Sequence, residues 1–132
     1  MSAISLAVIA CSKSDSGAPL QAEARIPSVS IEELDRMLAS NACTPVDANG
    51  ERTREKLGVI PGAVLLSDSE LFSTSELPPD KAKPLVFYCA NESCGASHEA
   101  AARALTAGYQ NVKVLPDGIA GWAKAGKKVQ SI

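Results

Sequence analysis

Hydrophobic positions along this chain change their spacing several times, and each change marks an element. Ile31, Leu34, Met37 and Leu38 recur at helical intervals, which predicts an amphipathic helix over Ile31–Ser40. Ser30 stands just before it and Glu33 three residues later. In that pattern the serine takes the Glu33 amide and Glu33 reaches back. Val46 and its neighbours read as a short strand, Gly58-Val59-Ile60-Pro61-Gly62 as a loop, and Ala63-Val64-Leu65-Leu66 as a second short buried strand. Ser67–Leu77 reads as a helix capped by Ser67 or Asp68 and broken at Pro78-Pro79. Pro84–Cys89 is apolar without alternation, the mark of a strand covered on both faces. Ala96–Ala107 is alanine-rich and strongly helical, with Gly108 placed to close it in the left-handed conformation. Asn111–Leu115 is the next strand and Ile119–Ala125 a last short helix. Strands alternating with helices predict an α/β domain, a mostly parallel central sheet with helices on both faces.

Length and charge narrow this further. At 132 residues there is room for one domain. A 45% apolar content and a net charge of -2 exclude a disordered tail and a chain steered to nucleic acid by bulk charge. Aromatic residues make up 4%, which argues against base stacking, so nucleic acid is not an expected partner. The apolar run Ile4–Ala10 is too short to span a bilayer and has no basic residue before it. Val8-Ile9-Ala10-Cys11 resembles the lipobox of bacterial lipoproteins, whose cysteine is lipidated, and Ser12–Gly17 is small and polar, as a tether would be. This divides the chain into a signal-like segment and flexible linker, 1–24, and a folded domain, 25–132. It implies lipidation at Cys11 and a membrane-anchored protein of the bacterial envelope, on the periplasmic side. The alternative is an incidental cysteine in a cytoplasmic protein.

The remaining cysteines differ in setting. Cys43 heads a buried strand, where a free cysteine behaves as a small hydrophobe. Cys89 closes a strand and faces a helix across a loop of small residues, Ala90, Ser93, Gly95 and Ala96. In open α/β sheets ligands bind outside the carboxyl ends of the strands. A cysteine there meets unpaired amides and the positive end of the helix dipole. Such thiols fall from about 8.5 to roughly 3.5–7.5, and the thiolate is the nucleophile. The plainer alternative makes Cys89 a buried strand residue.

Five segments then stand in the order of the rhodanese family, across roughly Ile26–Val129. Pro45-Val46-Asp47 looks like its Asp-containing strand motif. Gly58-Val59-Ile60-Pro61-Gly62-Ala63 is similar to its Gly-His-Ile-Pro-Gly-Ala signature, with Val59 in place of the histidine. Val86-Phe87-Tyr88-Cys89 resembles the strand that ends in the catalytic cysteine. Gly108-Tyr109-Gln110-Asn111-Val112 and Leu115-Pro116-Asp117-Gly118, through Trp122 to Ala125-Gly126, resemble the closing segments. The resemblance implies a rhodanese-like fold and a nucleophilic Cys89 that carries sulfane sulfur as a persulfide. It also implies a substrate-binding loop of Ala90, Asn91, Glu92, Ser93, Gly95, Ala96 and Ser97. Asp47 would brace that loop or, alternatively, cap a turn, and Trp122 would anchor the core. The expected partners are a small sulfur donor and a thiol or cyanide-like acceptor, with no cofactor and a monomeric chain.

The departures from the family matter too. The loop runs longer than in common single-domain members and holds no Arg or Lys between Cys89 and Arg103, but it does hold Glu92. A charge-assisted bond to an oxyanion is about twice as strong as a neutral one, so poor use of thiosulfate is expected. The missing arginine also speaks against the related cysteine phosphatases and arsenate reductases. Cys94, five positions on, is a candidate resolving thiol, able to attack a persulfide or sulfenate at Cys89 and leave a disulfide; a filler role is the alternative. His98, with the two cysteines, matches no common zinc pattern, and no metal is expected. Three classes stay open: a sulfurtransferase, a thiol-disulfide redox protein using Cys89 and Cys94, and a non-catalytic rhodanese-like binding module.

Overall fold

Four parallel strands run β2-β1-β3-β4 across the sheet of the computed structural model, which describes residues 26–132. Cys11, the lipobox-like run and the linker up to residue 24 lie outside the described residues. The strands are β1 Thr44–Asp47, β2 Val64–Leu65, β3 Leu85–Tyr88 and β4 Val112–Leu115, and the helices are α1 Ile31–Ala39, α2 Glu51–Leu57, α3 Ala96–Thr106 and α4 Gly118–Lys124. Register aligns the strand ends: Asp47 lies opposite Tyr88, and Tyr88 opposite Leu115. Cys89 therefore leaves the middle of the sheet at its carboxyl edge.

β3 is covered on both faces, as its unbroken apolar run predicts. Leu85, Val86, Phe87 and Tyr88 are all fully buried. Successive side chains point to opposite faces, so the strand feeds two cores. Leu85 and Phe87 join Val46, Val114, Phe72 and the Ala100, Ala101 and Ala104 face of α3. Val86 and Tyr88 join Leu34, Ile60, Leu115, Ile119 and Trp122 beneath α1 and α4. Burying each such large side chain contributes about 1.5–3 kcal/mol. Trp122 is 2% exposed and its Nε1 donates to the Lys128 carbonyl at 2.7 Å, so it is the core anchor expected of it.

Local chemistry sets the ends. Ser30 Oγ accepts from the Glu33 amide at 3.1 Å, one half of the expected box. α3 ends in a Schellman turn. The Tyr109 amide returns to the Ala104 carbonyl and the Gly108 amide to Leu105, with Gly108 at φ +101°.

Three expectations need correction. Ser67–Leu77 is not a helix: it holds bends and one 3-10 turn, Thr74–Glu76. Its polar side chains compete with the helical ladder. Asp68 Oδ1 takes the Glu70 and Leu71 amides, and Glu76 takes the Ser67 amide and hydroxyl and the Ser73 amide. Both carboxyls are consequently held below their usual range. β2 is an edge strand with Leu65 42% exposed, not a buried one. α2 had no counterpart in the apolar pattern, because its buried residue is Arg54. Among the described residues no helix is long and apolar enough to cross a membrane.

Candidate active site

The chain turns at Cys89 because α4 grips it there. The Ile119 amide donates to the Cys89 carbonyl and the Ala120 amide to the Ala90 carbonyl, both at 2.9 Å. So close an approach needs a residue without a side chain. Gly118 has φ +67°, and a Cβ on it would sit 2.5 Å from the Ala90 carbonyl carbon, 2.6 Å from its oxygen and 2.7 Å from the Asn91 nitrogen. Gly118 stood in the sequence only as part of a closing motif; its position after Asp117 was the signal for a special backbone turn.

Beyond Ala90 the loop closes on itself. The Cys94 amide donates to the Asn91 carbonyl at 3.1 Å and the Ser93 amide to Asn91 Oδ1 at 2.9 Å. Asn91, Glu92 and Ser93 are exposed, whereas Cys89 is 2% exposed. Cys89 and Cys94 are joined as a disulfide with their Cα atoms 6.3 Å apart, within the span such a link allows.

The surroundings of the sulfur differ from the ring of amides expected for it. The Cys94 carbonyl oxygen lies 3.2 Å and the Ser97 hydroxyl 3.5 Å from Cys89 Sγ, and the Ser93 and Cys94 amides are directed to Asn91. The first amides of α3 have no partner inside the helix. Ser97, buried at 2% exposure, is the loop member that reaches the sulfur, while Gly95 and Ala96 bring the chain into α3.

Asp47 braces a neighbouring corner instead of this loop. Its Oδ1 accepts from the Asn49 amide at 2.8 Å and from Arg54 Nε at 3.1 Å. Arg54 Nη2 also donates to the Asp47 and Leu66 carbonyls, tying β1, α2 and the end of β2 together. Tyr88, one residue before Cys89, accepts the Ile60 amide on its hydroxyl at 3.0 Å. Burial, then the nearby Asp47 carboxylate, push its phenol up, so it stays protonated. Sequence reasoning missed Arg54 and Tyr88 as members of this network. Val59, where the family signature has histidine, is buried and pairs both ways with Gln130 near the carboxyl terminus.

Cys43 is a free, buried cysteine whose thiol is pushed up by burial against the pull of Lys83 and Lys113. Among the described residues no group of three His, Cys, Asp or Glu could hold a metal. His98 lies in the first turn of α3, half-buried.

A family model for the rhodanese-like domain matches residues 30–125. Among curated proteins none matches. Several solved structures share the fold. A thiosulfate sulfurtransferase from Pseudomonas aeruginosa is 27% identical, with 86% of this chain and 22% of that one covered and a TM-score of 0.69. A human single-domain sulfurtransferase is 21% identical, covering 74% and 96%, with a TM-score of 0.60. A protein of unknown function from Rhodopseudomonas palustris, named as a possible tyrosine phosphatase, is 20% identical, covering 93% and 100%, with a TM-score of 0.69.

Proposed function

The chain belongs to the rhodanese-like domain family, and on that footing we propose that it carries sulfane sulfur as a persulfide on Cys89, which Cys94 then displaces. The observation that carries this reading is the Cys89–Cys94 link at the carboxyl end of β3. The Cys89 thiolate attacks the outer sulfur of a small donor, forming Cys89–S–S⁻ and releasing the donor's remaining thiolate. An external thiol or cyanide-like acceptor can take that sulfur. Otherwise the Cys94 thiolate attacks Cys89 Sγ, the Cys89–sulfane bond breaks, and the outer sulfur leaves with one proton as hydrosulfide. The two thiolates are oxidised to the disulfide and the sulfane sulfur is reduced by the same two electrons. An external thiol or dithiol resets the pair.

The loop chemistry selects among donors. No Arg or Lys lies between Cys89 and Arg103, and the Arg103 guanidinium is spent on the Phe72 carbonyl and ring. Anionic donors such as thiosulfate thus meet Glu92 with no Arg or Lys in the loop itself to offset it. The same absence argues against phosphatase chemistry, which needs a cation for its oxyanion. We place the protein in the bacterial envelope, lipid-anchored through Cys11, because disulfides persist there.

Intact-mass analysis after treating the reduced protein with polysulfide tests the reading. Cys94→Ser should accumulate one added sulfur atom, removable by cyanide. Wild type should release sulfide and end as the disulfide, and Cys89→Ser should hold no labile sulfur. Labile sulfur persisting in Cys89→Ser overturns it. The second reading, a dithiol redox protein, is favoured by the same link and predicts disulfide cycling with no sulfur gained by Cys94→Ser.

A further inference from the structure

A groove of about 510 Å³ lies beside the disulfide loop, and none of the chemistry above uses it. One wall is Asn91, Glu92 and Ser93; the other is α4 with Asp117, Gly121 and Lys124, and Ile31 of α1 closes it. Neither cysteine lines it, so an occupant does not meet the sulfur. Its Asn91–Ser93 wall, however, lies wholly within the segment that the Cys89–Cys94 link spans.

We infer that this groove binds a zwitterionic, peptide-sized ligand, and that the Cys89–Cys94 bond sets its affinity. The inference rests on the reading that this pair cycles between dithiol and disulfide. Charge gives the ligand class. Glu92 and Asp117 lie at the loop end, next to the Gly118–Ala90 contact, and Lys124 lies seven residues along α4 from Asp117. At about 1.5 Å per residue the Cα atoms of Asp117 and Lys124 are offset by about 10 Å along the axis, close to the roughly 10 Å that three extended residues span. Among the described residues the ion pairs Arg54–Asp47 and Lys127–Asp35 involve none of these three groove charges. An ammonium group would meet Glu92 and Asp117 while a carboxylate meets Lys124. Gly121 keeps the floor open: a Cβ there would come within 2.7 Å of Asp117 Cβ and 3.6 Å of Ile31 Cδ1.

The loop's bonding supplies the coupling. Residues 89 and 90 are pinned to α4 through their carbonyls, whereas 91–94 form a turn bonded to itself. The disulfide is the covalent tie that draws the far end of that turn back to Cys89. Reduction cuts the tie and leaves the exposed wall held by its own turn. The oxidised form is the one in which the groove is built, so it is the tighter binder. Coupling is reciprocal, so the ligand favours the disulfide by the same factor.

Triglycine is the probe, titrated by NMR against the backbone amides of Ala120, Gly121 and Lys124 in oxidised and reduced full-length protein. The oxidised form should bind it at least about threefold more tightly, a modest coupling. Cys94→Ser should bind like the reduced form. Acetyl-triglycine and triglycine methyl ester, each lacking one charge, should bind the oxidised form more weakly, and Lys124→Ala should not distinguish triglycine from its ester. Equal affinity in the two redox states, or indifference to both caps, overturns the inference. If affinity is equal while mass spectrometry finds the Cys89–Cys94 link, the groove coupling alone falls. If oxidation yields no such link, the coupling falls together with the resolving role of Cys94.

Discussion

Replacing Gly118 by alanine should cost far more than its single methyl group suggests. Two effects add. At φ +67° an alanine pays the left-handed penalty of about 1–2 kcal/mol. Its Cβ would also fall 2.5–2.7 Å from backbone atoms of Ala90 and Asn91, which have no rotamer to change. The loop or α4 must move, loosening the 2.9 Å bonds from the Ile119 and Ala120 amides to the Cys89 and Ala90 carbonyls. At about 0.5–1.5 kcal/mol each these bring the total to about 2–5 kcal/mol. Gly126 provides the control. It has φ +82°, but its Cβ would meet nothing within 4 Å, so Gly126→Ala carries only the left-handed term, about 1–2 kcal/mol. Urea unfolding of both variants, with the slope checked for constancy, isolates the contact term as their difference, expected at about 1–3 kcal/mol. Sulfur loading on Cys89 should fall in Gly118→Ala and persist in Gly126→Ala. Equal destabilisation of the two variants would refute the view that α4 clamps the Cys89 loop.

Arg54→Ala leaves Asp47 buried without its partner and should cost about 3–5 kcal/mol, while Lys127→Ala, which breaks a solvent-screened pair with Asp35, should cost far less; equal urea midpoints for the two would contradict this ranking. Asp68 and Glu76 have folded carboxyls held below their usual 3.8 and 4.5, mainly by backbone amides of Glu70 and Ser67. Their contribution is therefore complete above those usual values and is lost as pH falls through the lower folded ones. Thermal midpoints of wild type should drop more steeply in that acid range than those of the Asp68→Asn, Glu76→Gln double variant, and parallel curves would count against the assignment. Turnover with thiosulfate should be weak and should rise when Glu92→Gln removes the carboxylate; a thiosulfate rate unaffected by that change would show that loop charge does not select the donor.

The parts of the fold legible in the sequence are those that use apolar burial. β3 reads as a doubly covered strand because four consecutive side chains enter two cores, and α1 reads from a single apolar stripe. The parts that stayed hidden use polar burial or local competition. α2 presents one buried residue, Arg54, whose guanidinium meets a carboxylate and two carbonyls, and no hydropathy period can show that. Ser67–Leu77 has helical composition in part, yet its serines and acids offer backbone amides nearer partners than the helix does. At the site, Cys89 was legible from its place between strand and helix. The direction of the Cys94 carbonyl, and the dependence of the loop on Gly118, required the path of the backbone.

That path also gives a reason for the two cysteines to lie unequally in the loop. Cys89 sits on the part whose carbonyls α4 fixes, so its position relative to the sheet is set by bonds that do not involve its sulfur. Cys94 sits at the end of the self-closed turn, and its carbonyl occupies the space where a donor to a thiolate would be useful. Under the proposed chemistry, activation of Cys89 requires that carbonyl to turn away, and resolution requires Cys94 Sγ to approach. Both demands fall on residues 91–95 and neither on Cys89. A single reorientation of the turn beside a fixed nucleophile would meet both, so under the proposed chemistry stabilising the turn in either position should alter loading and resolution in opposite directions.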